Sequence, residues 1–291
     1  MKQLCYGEFL WDIIEGNEHI GGAPFNYASH SVKLGGEACL ASAVGRDSLG
    51  RRALDVARRN GVSDRLIKVN NQPTGTVPVM LDERGVPDFA IEFPAAWDYI
   101  ELSGEDMDWI DAQGFDCLYF GCLVLRSPAS RRTLESLVSR SSFGHTFCDI
   151  NFRQRYYDRE RVEFCLNTCS ILKMNDGEAL EIGRLLEIGG DEERVCQMVR
   201  ETYGVQTVCI TAGPEGCRVY AESPPLKVPG REVEVADTVG AGDAFAAGFM
   251  KKIGDGASLE EAATFAARLG ELVASKNGAV PEYDPDEIEA G

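Results

Sequence analysis

The chain has 291 residues, roughly twice the ~150 residues typical of one domain, so it forms either two modest domains or one large domain with an appendage. It carries 47 acidic and 29 basic residues. The resulting formal charge of −18 argues against binding to nucleic acid or to an anionic membrane. Hydrophobic residues make up 44% of the chain and charged residues 26%, which excludes a disordered, collagen-like or membrane-embedded protein.

The N-terminus and the cysteines indicate a cytoplasmic protein. Glu8 and Asp12 interrupt the stretch where a signal peptide would need an unbroken apolar run. The ten cysteines are scattered, several of them inside apolar runs, so we expect buried, reduced thiols. Cys165 and Cys169 are close in sequence, but no second cysteine pair or histidine cluster accompanies them. A pair in the core or on a helix surface is therefore favoured over a zinc site.

Short apolar runs alternate along the chain with longer amphipathic stretches, which predicts a mostly parallel sheet with helices on both faces. The predicted strands are LCYG (4–7), EACLASAVG (37–45), FDCLYFG (115–121), HTFCDIN (145–151), SILKMN (170–175) and TVCIT (207–211). The predicted helices lie around 26–34, 50–60, 131–139, 191–203 and 244–253. A last helix follows Ser258, which forms a capping-box pattern with Glu261.

Two segments break this alternation. Residues 74–93 predict two strands around a turn at 83–87, with no crossover helix between them. The segment from residue 8 to about 20 also predicts strand, turn and strand. We expect these lid segments, about 8–20 and 72–100, to pair into one small β-sheet that covers a site. The whole chain, 1–291, is then a single α/β domain with an inserted lid.

Ligands of open α/β sheets bind beyond the carboxyl ends of the strands, where this chain places polar and glycine residues. The densest run is DTVGAGD at 237–243, which opens a predicted helix. Gly240 and Gly242 allow close backbone approach, and the first-turn N–H groups have no partners within the helix, so this start is an anion site. Asp243 can act there as a base on a substrate hydroxyl. The alternative is a carboxylate that only complements the helix dipole.

Other catalytic motifs are missing from the sequence. No Gly-Lys dipeptide occurs, which excludes a P-loop, and Phe245 stands where a dinucleotide fingerprint needs its third glycine. The sequence also lacks the GxSxG, HRD, DFG and HExxH motifs. Arginines between 46 and 59 alternate with acidic residues, which indicates a solvated helix face and not a nucleic-acid patch.

Five motifs, in order, resemble the ribokinase-like, or pfkB, family of carbohydrate kinases. They are GGAPFN (21–26) with LG (34–35) and VGRDSLG (44–50), DINFR (149–153), NDGE (175–178), TAGPEG (211–216) and DTVGAGD (237–243). The resemblance implies a three-layer ribokinase-like fold. It also implies ATP-dependent transfer of a γ-phosphoryl group to a primary hydroxyl of a small sugar, with Mg²⁺.

The resemblance also assigns roles to residues. Asp243 takes the hydroxyl proton, and the amides of Ala241 and Gly242, after Gly240, meet the transition-state charge. Asn175 and Glu178 order the triphosphate and the magnesium-bound waters. The nucleotide is lined by Thr211, Gly213, Gly216 and Asn277.

The sugar is gripped by Asp12, Gly22 and Asn26 on the same resemblance. Trp97 either stacks on a sugar face or belongs to the core of the lid. Arg153 either holds an anionic group or fixes the sugar site, or it forms only a surface salt bridge. A further residue, Asp237, is either a ligand of a monovalent cation such as K⁺ or a turn cap.

The prediction of the substrate rests on a difference between this chain and the motif of the family. Ribokinases and sugar-phosphate kinases of the family typically carry a lysine motif, suited to a substrate phosphate, where this chain has Ala23 and Pro24. This difference argues against a phosphorylated substrate. The sequence is most similar to fructokinases. A 2-keto-3-deoxygluconate kinase, whose substrate carboxylate would pair with Arg153, is one alternative, and a ribokinase or nucleoside kinase is another. A catalytically silent sugar- or nucleotide-binding regulator is the non-enzyme alternative. By analogy with the family, the lid can pair across a homodimer.

Overall fold

The computed structural model describes residues 1–81, 87–221 and 223–290. The strands are Lys2–Tyr6 (β1), Leu10–Ile14 (β2), Asn17–Gly21 (β3), Glu37–Gly45 (β4), Ser63–Asn70 (β5), Gly75–Leu81 (β6), Pro87–Phe89 (β7), Cys117–Gly121 (β8), His145–Asp149 (β9), Ile171–Asn175 (β10), Thr207–Thr211 (β11), Cys217–Tyr220 (β12) and Leu226–Val228 (β13). The helices are Ala23–Lys33 (α1), Ser48–Arg59 (α2), Gly104–Gln113 (α3), Pro128–Arg140 (α4), Arg159–Thr168 (α5), Asp176–Leu185 (α6), Glu192–Tyr203 (α7), Ala241–Gly254 (α8), Leu259–Ala274 (α9) and Asp286–Ala290 (α10).

Nine strands form the central sheet in the order β13-β12-β11-β10-β9-β8-β1-β4-β5. Every pair from β11 to β5 is parallel, and β12 and β13 extend the sheet as antiparallel strands. Helices cover both faces of a parallel sheet, so its inner strands are buried on both sides, as in β8, where all five residues are buried. This is the predicted mostly parallel α/β sheet.

Two hydrophobic cores lie on the two faces of this sheet. In β1, Leu4 and Tyr6 face the core formed with α3 to α7, and Cys5 faces the core formed with α1, α2, α8 and α9. The alternation follows from the two-residue period of a strand. The three layers predicted from the family resemblance are therefore present.

The predicted elements appear close to their expected positions. All six predicted strands form, and β4 and β11 match their predicted ends. The predicted helices appear as α1, α2, α4, α7, α8 and α9, and the Ser258–Glu261 capping box forms at the start of α9. The elements that were not predicted from the sequence are β5, β12, β13, α3, α5, α6 and α10.

The two lid segments pair as predicted into one four-stranded sheet, in the order β3-β2-β6-β7. The contact between the segments is the parallel pair of β2 and β6, and the other two pairs are antiparallel. Most of the predicted turn at 83–87 lies outside the described residues.

A buried arginine anchors the chain where it leaves the lid. Arg126 donates two hydrogen bonds of 2.8 Å to the carboxylate of Asp98 and one of 2.7 Å to the carbonyl of Glu92. Its guanidinium lies 4.0 Å from the ring centroid of Trp97. Trp97 is fully buried there, within the hydrophobic core of the lid.

The ten cysteines are free and buried, as predicted. Cys165 and Cys169 both lie in the hydrophobic core formed with α3 to α7. Within 1–81, 87–221 and 223–290, no group of three or more histidine, cysteine or acidic residues is placed to hold a metal. No described helix combines the length and the apolar character that a bilayer span would require.

Candidate active site

The glycine-rich run 237–243 forms the start of α8. Gly240 is the N-cap, with a left-handed φ of 80°, and no side chain caps the helix. A Cβ atom at Gly240 would lie 2.2 Å from the carbonyl oxygen of Ala279, so only glycine fits this position. Ala241 and Gly242 then face a cavity with helix-start amides that can bind an anion.

Asp243 lies in the first turn of α8 and is only 8% exposed. Asn26 of α1 donates a 2.8 Å hydrogen bond to its Oδ2 atom, across 217 residues of sequence. Burial, followed by the charge of Asp149, raises the pKa of Asp243 to about 7, against the lowering effects of Asn26 and Lys173. A carboxyl group with a pKa near neutrality, inside a cavity, suits proton transfer.

A buried ion pair lies beside this helix start. Lys173 of β10 donates hydrogen bonds of 3.0 and 2.8 Å to the two carboxylate oxygens of Asp149, at the end of β9. A Cβ atom at Gly242 would lie 3.0 Å from Lys173 Nζ, so this cation stands next to the anion site. Burial alone would lower the pKa of Lys173, but the charges of Asp149 and Glu178 outweigh it and raise the pKa.

Sequence reasoning missed Lys173. The available signal was a lysine in the middle of the apolar run ILKMN, which is predicted to form a strand of the parallel sheet. Its partner Asp149 lies on the neighbouring strand, and that neighbour relation is not visible in one sequence.

Asn175 and Glu178 form a capping box at the start of α6. Asn175 Oδ1 accepts from the Glu178 amide, and Glu178 Oε2 accepts from the Asn175 amide, both at 2.8 Å. Glu178 Oε1 accepts from the amide of Phe152 at 2.8 Å. Burial and the charge of Asp149 raise the pKa of Glu178. Both residues line the cavity that contains Asp243.

This cavity has a volume of about 600 Å³ and lies between the lid and the start of α8. Of the residues predicted to grip a sugar, Asp12, Gly22, Asn26 and Arg153 line it. Burial raises the pKa of Asp12 to about 6, against the opposing charge of Arg153.

A second residue missed from the sequence is Glu8, which follows β1 and lines the same cavity. It is 5% exposed, and its Oε2 atom has no hydrogen-bond partner among the residues that the structure describes. The same holds for Oδ1 of Asn26. Burial raises the pKa of Glu8. Two unpaired, buried oxygens beside a cavity are positioned to accept hydrogen bonds from ligand hydroxyls.

Trp97 lies in the hydrophobic core of the lid. Its ring is fully buried against Arg126 and is not among the described residues that line the cavity, which is the position expected of a core residue. Stacking on a sugar stays a prediction.

Arg153 is exposed at the cavity and forms no ion pair within the part of the chain that the structure describes. Its charge lowers the pKa values of Glu8, Asp12 and Asp243. An arginine that faces three carboxyl groups without pairing to one of them remains available to a ligand.

A second cavity of about 660 Å³ lies on the other side of the α8 start. Thr211, Gly213 and Gly216, all predicted to contact a nucleotide, line it together with apolar residues of α8 and α9. Thr211 and Gly242 line both cavities, so the two join at the anion site. Asn277 is exposed and lines neither cavity.

Asp237 has the hydrogen bonds of a turn cap. Its Oδ1 accepts from the amide of Val239 at 3.0 Å, and its Oδ2 accepts from the amide of Gly278 at 3.1 Å. The role of a monovalent-cation ligand stays a prediction.

The acidic residues fit a magnesium ion that arrives with a phosphorylated ligand. Mg²⁺ typically binds one or two carboxylates together with substrate phosphates and waters. Glu178 supplies a partly buried carboxylate at the cavity, while the described residues form no protein-only metal cage.

Comparisons with known proteins agree with this geometry. A model of the pfkB family of carbohydrate kinases matches residues 5–285. The sugar kinase PH1459 of Pyrococcus horikoshii is 28% identical over 303 residues, which cover 97% of this chain and 93% of that protein. Fructokinase-1 of Oryza sativa subsp. japonica is 26% identical over 284 residues, 92% of this chain and 86% of the rice protein.

Solved structures share the fold along the whole chain. The crystal structure of PH1459 aligns with a TM-score of 0.81 at 26% identity and covers 100% of this chain and 97% of its own. The crystal structure of a Xylella fastidiosa fructokinase with bound ATP has a TM-score of 0.89 at 21% identity, with 99% and 97% covered. Because the family model spans nearly all of the chain, including both cavities, this protein belongs to the pfkB family of carbohydrate kinases.

Proposed function

We propose that this carbohydrate kinase transfers the γ-phosphoryl group of ATP to a primary hydroxyl of a free sugar, with fructose as the preferred acceptor. The observation that carries the proposal is the position of Asp243. It lies in the first turn of α8, bonded to Asn26, where a polar cavity under the lid meets the cavity lined by Thr211, Gly213 and Gly216.

The chemistry uses groups that are already in place. Asp243 accepts the proton of the sugar hydroxyl while the hydroxyl oxygen forms a bond to the γ-phosphorus of ATP. The bond between that phosphorus and the oxygen that bridges it to the β-phosphate breaks at the same time, and ADP leaves. The amides of Ala241 and Gly242 and the ammonium group of Lys173 stabilise the negative charge on the transferred group. Little else is required, since phosphoryl transfer depends mainly on positioning and electrostatics.

Magnesium is the cofactor that this site accommodates. Glu178 would hold Mg²⁺ through bound waters, with Asn175 fixing the carboxylate by the capping box. When bound, the ion neutralises phosphate charge. The solved relatives include a Xylella fastidiosa fructokinase with bound ATP and PH1459 in complex with ATP, which supports ATP as the phosphoryl donor.

Two observations support a neutral sugar as the acceptor. Ala23 and Pro24 occupy the positions of the family's lysine motif, and Glu8 and Asp12 line the sugar side of the cavity. Carboxyl groups without a matching set of cations disfavour a phosphorylated substrate. Several relatives with similarity over most of the chain are named fructokinases.

Arg153 favours one alternative acceptor. It faces the cavity without an ion pair in the described residues, so the carboxylate of a sugar acid such as 2-keto-3-deoxygluconate is its natural partner.

A coupled ADP-release assay with MgATP separates these substrates. The panel contains fructose, fructose 6-phosphate, 2-keto-3-deoxygluconate, ribose and a nucleoside. We expect the highest kcat/KM with fructose and a poor rate with fructose 6-phosphate. A higher kcat/KM for the sugar acid would identify the alternative, and no ADP release with any acceptor would indicate a silent binding protein.

A further inference from the structure

The residues that follow α9, here called the C-terminal segment (276–283), pass between α1 and the start of α8. The amide of Gly278 donates to Asp237 at 3.1 Å. The backbone of Ala279 lies against Gly240, where an added Cβ atom would be 2.2 Å from the Ala279 oxygen and 2.6 Å from its Cα. The C-terminal segment therefore packs directly on the N-cap of the anion site.

His30 of α1 holds this segment from the other side. The side chain is fully buried, with Nε2 3.0 Å from the carbonyl oxygen of Ala279 and Nδ1 2.8 Å from the hydroxyl of Tyr283. A carbonyl can only accept, so Nε2 carries the proton and Nδ1 accepts from Tyr283. Burial lowers the pKa of His30 to about 4, so the ring stays neutral at physiological pH.

The same helix reaches the proposed base. Asn26 precedes His30 by one helical turn and donates to Asp243. Since α1 also packs along α8, it contacts the active site at two points, directly at Asp243 and through Ala279 at Gly240. His30 is not among the described residues that line either cavity, so any effect on the reaction must pass through the C-terminal segment.

We propose that His30 is a positioning residue for phosphoryl transfer. Its Nε2–H bond to Ala279 holds the C-terminal segment against Gly240 and keeps the first-turn amides of α8 directed at the phosphate. The inference rests on the proposed function, because it assigns those amides to the transferred phosphoryl group. Small misplacements of such groups lower turnover steeply.

A second side chain of α1, Lys33, also contacts the C-terminal segment, nearer the surface. Lys33, one residue short of a full turn beyond His30, donates to the carbonyl of Pro281 at 2.8 Å and pairs with Glu282, whose side chain is 96% exposed. The pair with the exposed Glu282 contributes little, and the bond to Pro281 lies two residues beyond Ala279, which is the residue that contacts Gly240. We therefore assign the positioning to the buried bond of His30.

A matched pair of variants tests the proposal. His30→Gln keeps an N–H donor at about the reach of Nε2, and His30→Met has a similar length and volume without a donor. We expect kcat of His30→Met to fall roughly tenfold, with the sugar KM within about twofold of wild type. His30→Gln should stay within about threefold. The fractional loss should be the same for every sugar that the enzyme phosphorylates, because the defect lies at the phosphate end.

Tyr283→Phe is the control. It removes the hydroxyl that donates to Nδ1 but leaves the Nε2–H bond to Ala279, so we expect wild-type kcat. Equal kcat values for His30→Met and His30→Gln, measured well below their melting temperatures, would assign His30 a purely structural role and overturn the proposal.

Hydrogen exchange gives a readout that does not depend on turnover. The amides of 238–245 should exchange faster in His30→Met than in wild type or Tyr283→Phe, with or without MgADP. If wild type phosphorylates no sugar, the proposed function fails, yet this comparison still tests His30. If His30→Met does not fold, ¹⁵N NMR of the wild-type ring decides: an unprotonated Nε2 in the neutral ring would overturn the proposal, and a protonated Nε2 would support it.

Discussion

Asp243 is buried, yet the proposed mechanism requires it to be ionised when it accepts the proton of the substrate hydroxyl. Its pKa of about 7 means that the active, deprotonated form is lost as the pH falls below neutrality. We expect kcat/KM for the sugar to rise with pH and to level off above about 7. We also expect Asp243→Asn to lower kcat roughly 10²-fold or more while ADP still binds, as measured by calorimetry. A flat pH profile together with wild-type turnover in this variant would remove Asp243 from the mechanism.

The same burial affects stability. The pKa of Asp243 is about 7 in the folded protein against an ordinary value of 3.8, so the folded state binds the proton more tightly than the unfolded chain. Between pH 3.8 and about 7 the contribution of Asp243 to the free energy of unfolding falls as the pH rises. Above about pH 7 the buried carboxyl group is charged, and its destabilising effect has reached its full size. We therefore expect Asp243→Asn to raise the melting temperature at pH 8 by ~2 °C or more, and the gain to shrink toward pH 4. An unchanged melting temperature at pH 8 would contradict the buried charge.

The pair of Lys173 and Asp149 shows how little of a site one sequence reveals. Breaking a buried pair from one side leaves an uncompensated charge and costs about 3–5 kcal/mol. We expect Lys173→Met and Asp149→Asn to lower the free energy of unfolding strongly when made singly. The double variant should lose less than the sum of the two, measured by urea unfolding. Additive losses would mean that the two charges do not stabilise each other.

Among the elements, the strands predicted correctly are those buried on both faces, because their apolar runs are continuous. The missed strand β5, SDRLIKVN, lies at the sheet edge and carries charged residues, so its run is broken. The missed helix α3 contains four acidic residues in ten and buries only three side chains.

The motifs 149–153, 175–178, 211–216 and 237–243 were found from sequence because each is contiguous. Glu8 and Lys173 were not, because their roles depend on neighbours that only the fold supplies.

The lid sheet is the element expected to respond to substrate. Its strand β2 carries Asp12, its strand β6 carries Val77, and both residues line the cavity. We expect saturating fructose to slow hydrogen exchange in β2 and β6, with α5, which lines neither cavity, as the unaffected control. Unchanged exchange in β2 and β6 at a fructose concentration that saturates turnover would show that the sheet does not close on the sugar. A homodimer through the lid stays a prediction, and sedimentation of the whole chain tests it.

At the scale of the whole molecule, the charge of −18 and the anionic co-substrate act against each other. Affinity for phosphate must come from local groups, namely the α8 start, Lys173 and magnesium, while the long-range field repels ATP. Salt screens that repulsion, so we expect kcat/KM for MgATP to rise by up to about twofold between 20 and 200 mM ionic strength. The kcat/KM for fructose, the proposed acceptor, which is uncharged, is the internal control. A fall for MgATP would show that positive local charges dominate its approach.

The burial of all ten cysteines makes the thiols reporters of opening. A maleimide cannot reach a buried sulfur, and burial further raises the pKa of thiols such as Cys117 and Cys148 to about 12, so the reactive thiolate is scarce. Every thiol that is labelled under native conditions therefore records a local or global unfolding event that exposed that cysteine. The thiols lie in β1, β4, β8, β9 and β11 and in α5 and α7. The labelling rate of each cysteine therefore measures how often its own element opens, without an engineered probe.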